Sequence, residues 1–280
     1  MSLGLMLLVL LAAALHAGWN AIVKSSPDKS SDVVLIAAGA GAIAATTLPF
    51  IPLPTISSWP YLLASVVIHL AYFSLVGLAY RHGDLSYVYP LMRGSAPLIT
   101  TCAALLIVGE GLRVGGYVGV LLLSAGVLTL SFDGFRNGKA QARGTGYALA
   151  NAFVVALYTL VDGIGVRLSG SAVSYAQWLF FLNAIPLLVL ALSTRRAPLL
   201  RTARARWKML SFGGLCTIGS YGLVLWAMTR APLALVAALR ETSVVFGTVF
   251  AAALLKEKFG TLRYVAAGLV TAGAVAMKVL

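Results

Sequence analysis

The chain has 280 residues, 60% hydrophobic and 10% charged, with a net charge of +13. A soluble domain carries about 25% charged residues and avoids large apolar patches, so the composition excludes an ordinary soluble fold and fits the bilayer as solvent. The basic excess lies mostly between apolar runs, which makes it a topology signal and a lipid contact rather than a nucleic-acid footprint.

A helix needs about 20 residues to cross the hydrocarbon core. Apolar runs of that kind fall at 3–23, 33–52, 61–80, 85–108, 114–132, 144–166, 172–192, 209–229, 232–255 and 261–279. The first lacks a basic leader and further spans follow it, so it reads as a span and not a signal peptide. Turn chemistry separates the runs: Ser25-Ser26-Pro27-Asp28, Pro52-Leu53-Pro54, His82-Gly83-Asp84, Arg136-Asn137-Gly138 and Ala231-Pro232. Backbone groups in lipid must be satisfied internally, which makes the spans helices and the fold all-α. Every connection is short except 193–208, so no soluble domain fits between spans. That basic segment reads as an orientation signal and solvated linker, or as a helix with Arg201, Arg204 and Lys208 on one face against anionic lipid.

Polar residues inside the runs are the candidates for function, because the bilayer penalises them. His16 and Asn20 stand four apart in the first run, beside Trp19. His69 is central in the third, near Tyr72 and Phe73. Arg93 lies in the fourth run after Tyr89 and between Pro90 and Pro97, and Arg240 and Glu241 are adjacent in the ninth. A guanidinium fork suits carboxylate or phosphate oxygens; the structural alternative is that Glu241 and a helix carbonyl satisfy both arginines. Asp162 shares a helix face with Tyr158 and Asn151, and could bind an ammonium group, carry a proton or simply reach headgroup water. Tyr89, Tyr158 and Tyr221 are candidates to line a cavity, whereas Tyr80 and Trp226 read as interfacial belt residues. Cys102 and Cys216 read as buried thiols, and no spacing suggests a metal or cofactor. Nucleotide, zinc-hydrolase and nucleophile-elbow motifs are all missing, which points away from an enzyme.

The fourth and fifth runs resemble the ninth and tenth at a constant offset: Arg93 falls on Arg240, Glu110 on Glu257, Tyr117-Val118 on Tyr264-Val265, and Ala125-Gly126 on Ala272-Gly273. A repeat of five spans inverts its second copy, the plan of many secondary transporters with a site near midplane. The expected halves are 1–133 and 144–280, ten transmembrane helices as two inverted five-helix repeats around a central cavity. Gly115, Gly119 and the Ala272-Gly273 pair are assigned to close helix packing.

These residues also carry a resemblance. The loop Gly83-Asp84-Leu85-Ser86 leading to Tyr89-Pro90, the helix ends Gly109-Glu110 and Lys256-Glu257, and the runs from Gly119 to Val127 and Gly268 to Gly273 resemble the drug/metabolite transporter superfamily. The similarity is to its ten-helix form with two EamA-type repeats, YddG-like amino-acid exporters among them. It implies a transporter, often an exporter of amino acids, other metabolites or drugs.

Lysines and arginines divide unevenly between the two sides. The loops after odd-numbered spans hold Lys24, Lys29, Arg81, Arg136, Lys139, Arg143, Arg195, Arg196, Arg201, Arg204, Arg206, Lys208, Lys256, Lys258 and Arg263; the other side holds Arg113, Arg167, Arg230 and Lys278. The positive-inside rule then predicts both termini outside, in a prokaryotic inner membrane. The leading expectation is a secondary transporter, an exporter of amino acids or similar small metabolites, working by alternating access. Its partners are a small-molecule substrate and membrane lipids, with no nucleic acid; a monomer can hold such a site and the oligomeric state is left open. An organic-anion or phosphonate carrier is the alternative of the same class, and a membrane enzyme acting on lipid headgroups the alternative of another. A non-transporting scaffold fits poorly with buried charge.

Overall fold

Apolar runs joined by short polar turns become long helices in the computed structural model, which describes residues 1–136, 138–255 and 261–279. The helices are α1 (Leu3–Lys24), α2 (Lys29–Thr47), α3 (Trp59–His82), α4 (Leu85–Ala103), α5 (Val114–Arg136), α6 (Ala142–Leu168), α7 (Ala172–Met228), α8 (Leu233–Arg240), α9 (Ser243–Leu255) and α10 (Thr261–Val279). No strand occurs among the described residues, and eight helical segments there are long and apolar enough to cross a membrane. Lys256, Glu257 and Lys258 lie outside the described residues, as does Asn137.

Side-chain caps start several helices. Ser2 accepts the Leu5 amide at 3.3 Å, Asp28 the Ser31 amide at 3.2 Å, Asp84 the Ser86 amide at 2.9 Å and Ser171 the Ser174 amide at 3.2 Å. The Ser86 hydroxyl and amide hold the Asp84 carboxyl below the usual carboxylate range, and Lys139 adds a contact at 3.3 Å. At the end of α4 the helix widens into a π-turn over Ala104–Val108. Gly109 closes it at φ 75, where a side chain would be strained, and the Glu110 amide returns to the Ala104 carbonyl at 3.1 Å.

Two stretches differ from the sequence expectation. Residues 193–208, expected as a connection that is either a solvated linker or a basic helix, are helical within α7, whose regular backbone breaks at Arg195 (φ −147, ψ 40). The hydroxyls of Ser193 and Thr194 turn back to the Leu190 carbonyl at 2.9 and 2.7 Å and end the first limb. Pro198 falls in the first turn of the second limb, where its missing amide is not needed, and the Ala, Arg and Leu that follow favour helix. The expected span 232–255 is likewise divided, into α8 and α9. Neither Gly nor Pro marks the division. The amides of Glu241 and Thr242 bond three residues back, to Ala238 and Leu239, and the Thr242 hydroxyl takes the Leu239 carbonyl at 2.7 Å.

Small residues let the helices approach. A side chain at Gly119 of α5 would sit 2.7 Å from the Gly273 carbonyl of α10, and one at Gly273 would sit 2.8 Å from the Gly119 carbonyl. Close contact of this sort drives helix association where lipid removes the hydrophobic driving force. Gly214, on the second limb of α7, packs in the same way against Gly39 and Ala40 of α2. Cys216 is buried as expected, but Cys102 is exposed on the outer face of α4. Tyr80 and Trp226 are exposed near helix ends, and Arg230 lies 5.3 Å over the Trp226 ring.

Candidate binding site

Four charged side chains meet in the interior: Arg93 of α4 (4% exposed), Asp162 of α6 (0%), Arg240 at the end of α8 (3%) and Glu241 in the break after it (2%). Arg93 Nε lies 2.7 Å from Glu241 Oε2, an ion pair at contact whose angle falls short of a hydrogen bond. Arg240 stands off, its Nε 4.0 Å from Glu241 Oε1. Neighbouring helical residues point about 100° apart, so the adjacent pair does not close up. Arg240 Nη2 donates instead to the Tyr158 hydroxyl at 2.9 Å. Its guanidinium lies 5.7 Å from the ring centres of both Tyr158 and Tyr221, within the range of cation–π attraction. Neither arginine is saturated, because Nε and Nη2 of Arg93 and Nε of Arg240 are buried without a hydrogen bond.

One turn along α6 from Tyr158, Asp162 accepts from Tyr175 at 3.0 Å and from Tyr221 at 2.6 Å, one phenol on each oxygen. The His69 ring stacks on Tyr158 at 4.5 Å and meets Tyr221 edge-on at 6.3 Å. Its Nδ1 is 2.9 Å from the Ser65 carbonyl and 3.1 Å from the Ser65 hydroxyl. Tyr72 packs edge-on against Tyr158 at 5.8 Å. A wall of rings thus joins the arginine group to Asp162.

The structure therefore brings together Arg93, Arg240, Glu241, Tyr158, Asp162, Tyr221 and His69 from five helices and the break after α8. Tyr89 stands one turn before Arg93 on α4, half-buried. His16 lies within electrostatic reach of Arg93 and Arg240, while its hydrogen bonds stay on its own helix: Trp19 Nε1 donates to His16 Nδ1 at 3.3 Å, and Asn20 Nδ2 donates to the His16 carbonyl at 2.8 Å. Sequence reasoning missed Tyr175 and Ser65. Tyr175 sits one turn into α7, where its position alone suggests an interfacial ring, and only its full burial reveals the partner.

A second charged group lies where the ends of α6 and α7 meet the start of α8. Arg167, at the end of α6, pairs with Glu110 at 2.5 Å and donates to the carbonyls of Met228 and Ala231 at 2.7 and 3.0 Å. The other Glu110 oxygen accepts the Leu233 amide at 2.8 Å and so caps α8. Glu110 was legible as a helix-end marker and Arg167 only as a loop charge; their pairing across 57 residues was not.

Comparison with curated proteins finds no match. One solved structure, described only as the crystal structure of a protein, has a TM-score of 0.76 at 17% identity, covering 98% of this chain and 95% of that chain. At that identity the likeness shows a shared fold. Residues 142–278 match the model of the EamA-like transporter family, and this match together with eight described helical segments long and apolar enough to cross a membrane supports a multi-pass membrane protein.

Proposed function

We propose that the chain is a secondary transporter, an exporter of amino acids or similar small carboxylates, in the manner of YddG-like members of the superfamily. The observation that carries the reading is a pair of buried arginines around one glutamate, with donor atoms unused, at a divided helix. With Asp162 set apart by its two phenols, Arg93, Arg240 and Glu241 leave one net positive charge, which a substrate carboxylate would neutralise. The N-terminus of α9 adds a positive dipole end at the same place, as in transporters that bind anions at discontinuous helices.

In this reading the two limbs of α7 are separate crossings and α8 with α9 is one broken crossing, giving ten in two inverted repeats, 1–133 and 144–280. The packing supports it, because helix contacts exchange in pairs when the halves are exchanged. The partners α3 and α6 correspond to the second limb of α7 and α1; α4 and α6 correspond to α9 and α1; α5 and α10 correspond to each other. The charge count supports both termini outside, and a periplasmic reporter fused to the C-terminus is expected to be active. Activity of a cytoplasmic reporter at that position would reverse the orientation.

The binding test is melting of the purified protein against a panel of ligands. Amino acids should raise the melting temperature, and amines of the same side chains lacking the carboxylate should not. Equal stabilisation by both sets would remove the arginines from the site. The second reading, an organic-anion carrier, is favoured by the two phenols that already occupy Asp162. It predicts that desamino acids stabilise as well as amino acids.

A further inference from the structure

The second limb of α7 runs from 196 to 228, which at 1.5 Å per residue is about 50 Å, roughly 20 Å more than the hydrocarbon core needs. Its surplus is the basic stretch 196–208. Helical phase divides the charges there. Arg206 points inward, with Nη2 3.0 Å from buried Asp32 and 3.0 Å from the Ile22 carbonyl. Just before the limb, Arg195 pairs with Asp28 at 3.1 Å. Arg201, Arg204 and Lys208 fall within about 60° of one another at 100° per residue, on the side away from Arg206. All three are exposed and have no ion-pair partner among the described residues.

The same face says what covers it. One to two turns beyond Lys208, it carries Phe212 and Leu215, 60% and 56% exposed, residues that suit contact with lipid chains. Trp207 flanks the basic stripe with its ring exposed, and Lys208 lies 5.7 Å from that ring. A Trp beside cations at the rim of an apolar face is the pattern of the headgroup level. We infer that Arg201, Arg204 and Lys208 form a surface that binds the anionic headgroups of phospholipids in the surrounding membrane. The stripe climbs about 10 Å from Lys208 to Arg201, with the lysine stem reaching outward past apolar neighbours. Leu200 and Ala197 border the arginines, leaving a shallow groove in which a phosphate could sit between Arg201 and Arg204.

The test is native mass spectrometry of the full chain from nanodiscs of phosphatidylcholine mixed with phosphatidylglycerol. The wild type should retain phosphatidylglycerol preferentially, and the variant R201Q/R204Q/K208Q should lose roughly a hundredfold of that preference, at about fivefold per cation. Its melting temperature in pure phosphatidylcholine should match the wild type, since the three side chains are exposed. Arg206→Gln should do the opposite, lowering the melting temperature while keeping the preference. A triple variant that retains full preference would overturn the assignment, as would displacement of the lipid by soluble glycerol phosphate at equal concentration.

Discussion

A guanidinium near the bilayer centre costs roughly 2.5–3.5 kcal/mol on insertion scales. Arg93 and Arg240 meet that cost differently. Arg93 has a carboxylate at contact, so removing Glu241 would leave a buried cation with no countercharge. Arg240 has a phenol, two ring faces and the same carboxylate at 4.0 Å. Its charge is the less neutralised of the two, although Arg93 keeps more buried donors without a hydrogen bond. The sequence shows both arginines and Glu241 as misfits in apolar runs. It does not show which arginine the glutamate serves, because that depends on how α4 meets the break after α8. Asp162 was visible for the same reason and Tyr221 as a ring candidate, but their pairing and the second phenol, Tyr175, were not: the two tyrosines lie 59 and 13 residues away.

At the scale of elements, the division between α8 and α9 was hidden because no Gly or Pro announces it. At the division Thr242 returns its hydroxyl to the Leu239 carbonyl, beside two charged side chains that face the interior. The α7 bend was hidden for the opposite reason, since an Arg-rich stretch reads as a linker although its residues are good helix formers. The Glu110–Arg167 group ties the turn after α4 to the ends of α6 and α7 and the start of α8. In the proposed transporter this tie crosses from one half to the other, and opening that face must break it. A partly exposed pair of this kind holds about 1 kcal/mol. Glu110→Gln should therefore raise the open population about fivefold. The readout is the rate at which an impermeant thiol reagent labels Ser174→Cys, buried in the first turn of α7, in a chain with Cys102→Ala and Cys216→Ala. Equal labelling rates with and without the Glu110→Gln substitution would show that the tie does not hold the face shut.

For the whole molecule, composition and the length of apolar runs were enough to place the chain in a membrane, since they state what solvent the surface requires. The helical fold followed from backbone satisfaction in lipid. The gathering of the interior charges did not follow from these features, since it needs the relative rotation of α3, α4, α6 and α7 as well as the break. The proposed transport function rests on Arg240 meeting the substrate. The direct measurement is amino-acid flux in proteoliposomes for the wild type and Arg240→Gln, with the melting temperature of each preparation. Loss of one charge-assisted hydrogen bond in a dry site is worth about 1.5–3 kcal/mol, or roughly ten- to a hundredfold in affinity. Direct contact with the substrate predicts a loss of flux of that order at low substrate concentration, with little change in melting temperature. Unchanged flux with a large drop in melting temperature would contradict it and make Arg240 a structural residue.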